Sequence, residues 1–201
     1  MIKLKNYFHV AESFFSEDFC DNVIDKIENG PYTKDLREEK YRLSDVIFFP
    51  QDEDTKWIYE PLEKLIDEVK TKNWRTFKLD KFQDLQYTIY DKIGGKYDWH
   101  CDTGQSLSGM ERRLLSITVQ LTDPATYSGG EFQIVESMVS DINKVVYGQS
   151  PEETAANDKI KTIIPPRGSV IIFPSVISHR VCAMKSGTRK SLVGWMNGTF
   201  I

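Results

Sequence analysis

The chain has 201 residues, of which 40% are hydrophobic and 28% charged, with a formal net charge of −4. This is enough for one domain with a sizeable core, it is too apolar for disorder, and it lacks the basic excess of a protein that grips a phosphate backbone. No stretch of about 18 uncharged apolar residues occurs, the start carries no leader-like apolar segment, and Cys20, Cys101 and Cys182 fit no zinc or disulfide framework. The expectation is a cytoplasmic protein with reduced thiols and with neither membrane nor nucleic acid as a partner.

A strand is expected around Asn6 to Val10. Ser16 then offers an N-cap, Glu17 and Asp18 suit the positive end of a helix dipole, and Phe19, Cys20, Val23, Ile24 and Ile27 form one apolar stripe. Asn29-Gly30-Pro31 supplies the stop. Residues 32 to 45 read as loop or edge strand, and Val46 to Phe49 as a short strand closed by Pro50. A second helix is expected from Asp54 to Lys72, with Trp57, Ile58, Leu62, Leu65, Ile66 and Val69 facing the core and Pro61 implying a kink or a later start. Basic and aromatic residues interleave from Lys70 to Arg75, which reads as a helix C-terminus with cations placed for its dipole.

From Leu85 the period changes to two. Leu85, Tyr87 and Ile89 alternate with Gln86, Thr88 and Tyr90, and Leu115, Ile117, Val119 and Leu121 alternate with Ser116, Thr118 and Gln120. Two such strands predict a barrel-like sandwich whose polar face lines a ligand site. Gly129-Gly130-Glu131-Phe132 opens another strand, and residues 136 to 158 read as a lid or binding loop containing a short helix that begins at Ser150-Pro151-Glu152-Glu153. Strands over 159 to 164, 169 to 173, 177 to 182 and 190 to 196 complete the set.

Between the first two of these alternating strands lies Tyr97-Asp98-Trp99-His100-Cys101-Asp102. If this stretch is extended, His100 and Asp102 point the same way. His179 follows an apolar strand near the end of the chain and could complete a set of two imidazoles and one carboxylate, the arrangement that holds non-haem Fe(II) with positions left open. His9 lies outside both stretches and reads as an ordinary strand histidine. A zinc hydrolase could use similar ligands, but no H-E-x-x-H helix or other general base is marked. Arg189, ten residues after His179, could turn a guanidinium into the barrel, where its planar fork suits a carboxylate.

Taken in order, LQYTIYDKIGGKYDWHCD, RLLSITVQLTD, YSGGEF, PPRGSVIIFPS and SHRVCAMKSGTRKSLVGWMNG resemble the Fe(II)/2-oxoglutarate-dependent dioxygenases, and within them the prolyl 4-hydroxylase-like (PKHD-type) branch. The N-terminal FFSEDFCDNVIDKI is similar to their lead-in helix. The resemblance implies an α+β, mainly β protein: a double-stranded β-helix of the jelly-roll or cupin-like kind with an N-terminal helical buttress. It would be a single domain over 1–201, with 1–84 supporting a core over 85–201. It also implies His100, Asp102 and His179 as iron ligands, with Arg189 on the C5 carboxylate of 2-oxoglutarate. Tyr90 would lie at the co-substrate pocket and Trp195 would line the site. Gln120 stands where some relatives supply a tyrosine to that carboxylate, which makes Thr118 a substitute partner; Ala183 stands where many have proline.

The implied cofactors are Fe(II), 2-oxoglutarate and O₂, with ascorbate as an accessory candidate. The implied reaction is hydroxylation of a C–H bond, with a peptidyl proline of a peptide or protein the leading substrate and succinate and CO₂ the co-products. The same chemistry on a small molecule such as a free amino acid, or a non-catalytic module that binds a metal or carboxylate, are the alternatives. Residues 103 to 111 and 136 to 158 are the candidate lids.

Overall fold

The computed structural model describes residues 6–103, 112–136 and 159–201. The expected lids fall almost wholly outside these residues, as does the short helix expected at Ser150. Two α-helices are described. In α1 (Glu17–Glu28) the Ser16 hydroxyl accepts the N–H of Phe19, Glu17 and Asp18 occupy the first turn, and Cys20, Val23 and Ile27 are buried. Its C-cap is Asn29, as the stop signal implied. In α2 (Lys56–Asn73) the helix runs through Pro61, so it does not start later. Its hold on the sheet is partly polar. The Tyr59 hydroxyl donates to the carbonyl of Phe49 at 2.7 Å and accepts the N–H of Leu85 at 2.8 Å.

The strands in chain order are β1 (His9–Ala11), β2 (Lys34–Glu39), β3 (Arg42–Phe49), β4 (Phe77–Phe82), β5 (Leu85–Tyr90), β6 (Lys96–His100) and β7 (Arg112–Gln120), then β8 (Ser128–Gly129), β9 (Phe132–Val135), β10 (Ile160–Ile163), β11 (Val170–Pro174), β12 (His179–Val181), β13 (Met184–Ser186) and β14 (Arg189–Phe200). One sheet has the order β1-β11-β7-β14-β5-β3-β6-β12-β9-β10, with β2 on β3 and β4 on β14, and β13 pairs with β8. The turn between its two walls is made by β3. Asp45 to Phe49 pair with β5, whereas Arg42 and Leu43 pair with Tyr97 and Lys96 of β6.

Strand alternation divides the residues as the sequence indicated. Leu85, Tyr87, Leu115, Ile117, Val119 and Leu192 pack with Ile58, Leu62 and Ile66 of α2 and with Val23 and Ile27 of α1 in one core. The opposite face carries Gln86, Tyr90, Thr118, Ser191 and Trp195 into the space between the walls, where Phe132, Ile134, Ile171, Phe173 and Ile177 form a second core. The fold is thus the expected mainly β, curled double-stranded β-helix backed by helices.

Three details differ from the sequence reading. Residues 34–39 and 42–49 form a regular hairpin, longer than the short strand foreseen. Phe77–Phe82 is a strand against β14 that the alternation rule did not reveal. Its sequence, FKLDKF, buries only its two phenylalanines, because it lies at the margin of the sheet. Lastly, β6 ends at His100, so Asp102 is not on the strand. Among the described residues no helix is long and apolar enough to cross a membrane.

Candidate metal centre

His100, Asp102 and His179 converge, with one ligand atom from each lying within 4.8 Å of the others. His179 is the antiparallel register partner of His100, which sets the two imidazoles side by side with ring centroids 4.2 Å apart. Asp102 reaches them from beyond the strand end. Its N–H donates to the carbonyl of Ser175 at 2.9 Å, tying the Cys101–Thr103 stretch to the end of β11. The same convergence is therefore achieved by a loop anchor instead of the simple alternation first assumed.

Each imidazole is fixed by the carbonyl two residues before it. His100 Nδ1–H donates to Asp98 at 2.7 Å, and His179 Nδ1–H donates to Ile177 at 3.0 Å. With Nδ1 so engaged, the neutral rings present bare Nε2 lone pairs. These face Asp102, at 3.5 Å from Oδ1 for His100 and 3.4 Å from Oδ2 for His179. Tyr97 stacks on His100, with centroids 3.5 Å apart, and Phe173 meets His179 edge-on at 4.6 Å. Tyr97 and His100 share a side because β6 is irregular there: Val181 pairs with Tyr97 while His179 pairs with His100, three residues against two.

The electrostatics call for a cation. Burial pushes the Asp102 carboxyl up, yet the imidazoles of His179 and His100, once protonated in acid, outweigh it and hold the carboxyl well below its usual range. Burial in turn pushes His179 down to about 4, so at neutral pH this imidazole carries no charge to lend. Asp102 Oδ2 is buried and accepts no hydrogen bond. An ionised carboxylate facing two bare ring nitrogens is a costly arrangement by itself, and a divalent ion among them satisfies all three. Two nitrogens and one oxygen suit Fe(II) with open positions.

The cavity beside these ligands, about 40 Å³, is lined further by Tyr90, Thr118, Arg189, Ser191 and Trp195. All four residues expected around the co-substrate, Arg189, Tyr90, Thr118 and Trp195, are therefore brought to the ligands. Arg189 is 3% exposed and lies over the Tyr90 ring at 5.7 Å, with one long hydrogen bond, 3.3 Å, to the Ser191 hydroxyl. No carboxylate pairs with it among the described residues, so the wall of the cavity carries an uncompensated guanidinium. Gln120, by contrast, spends its amide protons on the carbonyl of Thr122 at 2.8 Å and the hydroxyl of Tyr127 at 2.9 Å.

Other contributors were not visible in the sequence. The Arg113 guanidinium covers the Trp195 ring at 3.9 Å and donates twice to Gln83 Oε1, at 2.9 and 2.7 Å. Gln83 in turn donates to Asn197. This chain of contacts braces Trp195 against the site, and its members lie on three different strands or strand ends, so no spacing rule could have linked them. His9 sits on β1 opposite Ile172, away from the centre.

The curled sheet thus carries a His, Asp, His centre beside a buried arginine, and comparison with known sequences bears on what that centre is. The profile described as the 2OG-Fe(II) oxygenase superfamily matches residues 85–197. The chain belongs to that superfamily. It is 35% identical over 106 residues to a PKHD-type hydroxylase of Synechococcus sp. (strain CC9311), covering 53% of this chain and 38% of that protein. A PKHD-type hydroxylase of Prochlorococcus marinus is 36% identical over 103 residues, covering 51% and 37%. The chain thus spans less than two fifths of the length of these curated relatives.

Among solved structures, a Pseudomonas putida prolyl-4-hydroxylase superposes with a TM-score of 0.68 at 16% identity, over 96% of this chain and 92% of that one. The viral collagen prolyl hydroxylase of Paramecium Bursaria Chlorella virus-1, solved with 2OG, gives 0.68 at 19% identity, over 97% and 98%. A Trichoplax adhaerens prolyl hydroxylase in complex with a hypoxia inducible factor peptide fragment gives 0.69 at 15% identity, over 96% and 84%. At such identities the likeness is one of fold.

Proposed function

We propose that this chain is an Fe(II)- and 2-oxoglutarate-dependent dioxygenase that hydroxylates a C–H bond, with a peptidyl proline the leading substrate and succinate and CO₂ the co-products. The observation that carries this reading is the coexistence, in one cavity, of a buried Asp102 oxygen and a buried Arg189 that, among the described residues, have no donor and no carboxylate respectively. One lacks a cation and the other an anion. Fe(II) and a dicarboxylate supply both.

In this reading His100, Asp102 and His179 hold the metal and leave adjacent positions open. Arg189 receives the far carboxylate, while the Thr118 and Ser191 hydroxyls and the Tyr90 ring shape the space around it. When bound, iron with its co-substrate supplies the oxidising power for C–H hydroxylation; the protein supplies placement. Trp195, braced by Arg113, and the stacked Tyr97 keep the surroundings of the ligands apolar and the imidazoles in register.

The peptide reading is supported by the relatives, since one neighbouring structure is a complex with a peptide fragment and another is described as a collagen hydroxylase. Oxidation of a small molecule is the second reading, favoured by the small volume of the metal cavity. We further propose that 1–201 acts as a single unit. In support, β1, β3 and β4 of the N-terminal part are strands of the same sheet as β5, β7 and β14. We place the chain in the cytoplasm, which fits an odd number of cysteines at no disulfide-framework spacing. Incubation with Fe(II), 2-oxoglutarate, O₂ and proline-containing peptides, with and without ascorbate, tests the reading by succinate release and a mass gain of one oxygen. Succinate formed only with a small-molecule acceptor would favour the second reading.

A further inference from the structure

Arg189 is the partition between two cavities. On one side is the metal cavity, where Arg189 stands with Tyr90, Thr118, Ser191 and the three ligands. On the other is a cleft of about 270 Å³, whose walls include Gln120, Tyr127, Gly130, Phe132, Lys185 and Arg189 itself. Arg189 lines both, so a chain held at its guanidinium has the cleft beyond it. Gly130 makes this possible. It sits at φ 68°, and a Cβ there would lie 2.5 Å from Met184 Sδ and 3.1 Å from Arg189 Cδ, closing the passage of the arginine stem.

The donors in the cleft can be counted. Both amide protons of Gln120 are given away, one of them to the Tyr127 oxygen, so the Tyr127 hydroxyl proton is left to donate elsewhere. It has no acceptor among the described residues. Lys185 has no carboxylate partner there either, and Glu131 is the one acid among the described residues of the cleft wall. Two cations and a free hydroxyl proton against one acid make a place for an anion.

We propose that this cleft is an outer carboxylate subsite, and that the chain accepts 2-oxo dicarboxylates longer than 2-oxoglutarate, the six-carbon 2-oxoadipate first among them. The longer distal carboxylate passes the Arg189 guanidinium and is received by the Tyr127 hydroxyl and the Lys185 ammonium. The proposal rests on the functional reading above, because it assumes that a 2-oxo acid binds beside the metal.

The test is equilibrium binding by titration calorimetry of the full chain loaded with Mn(II), with 2-oxoglutarate and 2-oxoadipate as the two probes. The two affinities are expected to lie within about tenfold of each other, and Tyr127→Phe to weaken 2-oxoadipate about tenfold while leaving 2-oxoglutarate nearly unchanged. Lys185→Ala, at an exposed position, gives the same selective loss without risk to folding. An affinity for 2-oxoadipate more than about tenfold below that for 2-oxoglutarate, or equal losses for both acids in the variants, overturns the proposal. Failure of both acids to bind folded, Mn(II)-loaded protein overturns the functional reading, and this one with it.

Discussion

His100 and His179 are built alike: each is the other's register partner across β6 and β12, and each gives its Nδ1 proton to the carbonyl two residues upstream. The pairing orients both Nε2 lone pairs on Asp102 before any metal arrives. Loss of one ring should therefore remove a ligand without disturbing the other. His179→Ala is expected to weaken Co(II) or Mn(II) binding by at least about 100-fold, more than outer contacts to ligands usually cost. A calorimetric titration of the folded variant checks this.

The metal-free protein should lose stability in mild acid. His179 is held down to about 4 by burial, against an ordinary value of 6.5. Between those values the unfolded chain binds a proton that the folded chain refuses, so stability falls as pH drops from 6.5 toward 4, by roughly 2–3 kcal/mol. Asp102 acts lower. Its folded carboxyl lies well below 3.8, so its contribution is present above that value and is lost only beneath it. Urea unfolding of the metal-free protein at a series of pH values should show the upper slope, and His179→Asn should flatten it.

Arg189→Ala should weaken 2-oxoglutarate binding by about 3–5 kcal/mol, since the variant leaves a buried carboxylate without its partner. Metal affinity should change little, because Arg189 touches no ligand. Binding measured separately for Mn(II) and for the co-substrate distinguishes the two. Equal losses in both would mean that Arg189 supports the ligands and not the carboxylate.

Gly168 tests the attachment of the helical layer. It sits at φ 80°, a Cβ there would lie 2.0 Å from the Phe15 carbonyl oxygen, and its own carbonyl accepts the N–H of Phe15 at 3.0 Å. Gly168→Ala should destabilise the fold by about 2 kcal/mol or more, while metal affinity in the fraction that folds stays unchanged. Thermal melting and metal titration on the same sample report the two quantities.

How much of this could be read from sequence depended on whether a feature was local. The polar and apolar faces of β5 and β7 followed from alternation, and α1 from its cap, stripe and stop. His100, Asp102, His179 and Arg189 were legible because their ordered spacing survives in the chain. Asp102 was placed on a strand because alternation is the only rule available locally, whereas the fold orients it through Ser175, more than seventy residues away. Tyr97 faces inward only through an irregularity in β6, and the Arg113, Gln83, Asn197 brace exists only once three distant segments meet. Gln120 raised the question of a second carboxylate partner; its answer, a bond to Tyr127, depended on where the turn at Pro124–Thr126 returns the chain.

The most direct test of the central claim is an anaerobic titration of the wild-type chain with Fe(II) and then 2-oxoglutarate, followed by visible absorption, beside His179→Ala. The account predicts an absorption band that appears only when both are present in the wild type and never in the variant. Folded, iron-loaded wild type that binds no 2-oxoglutarate and shows no band would contradict it.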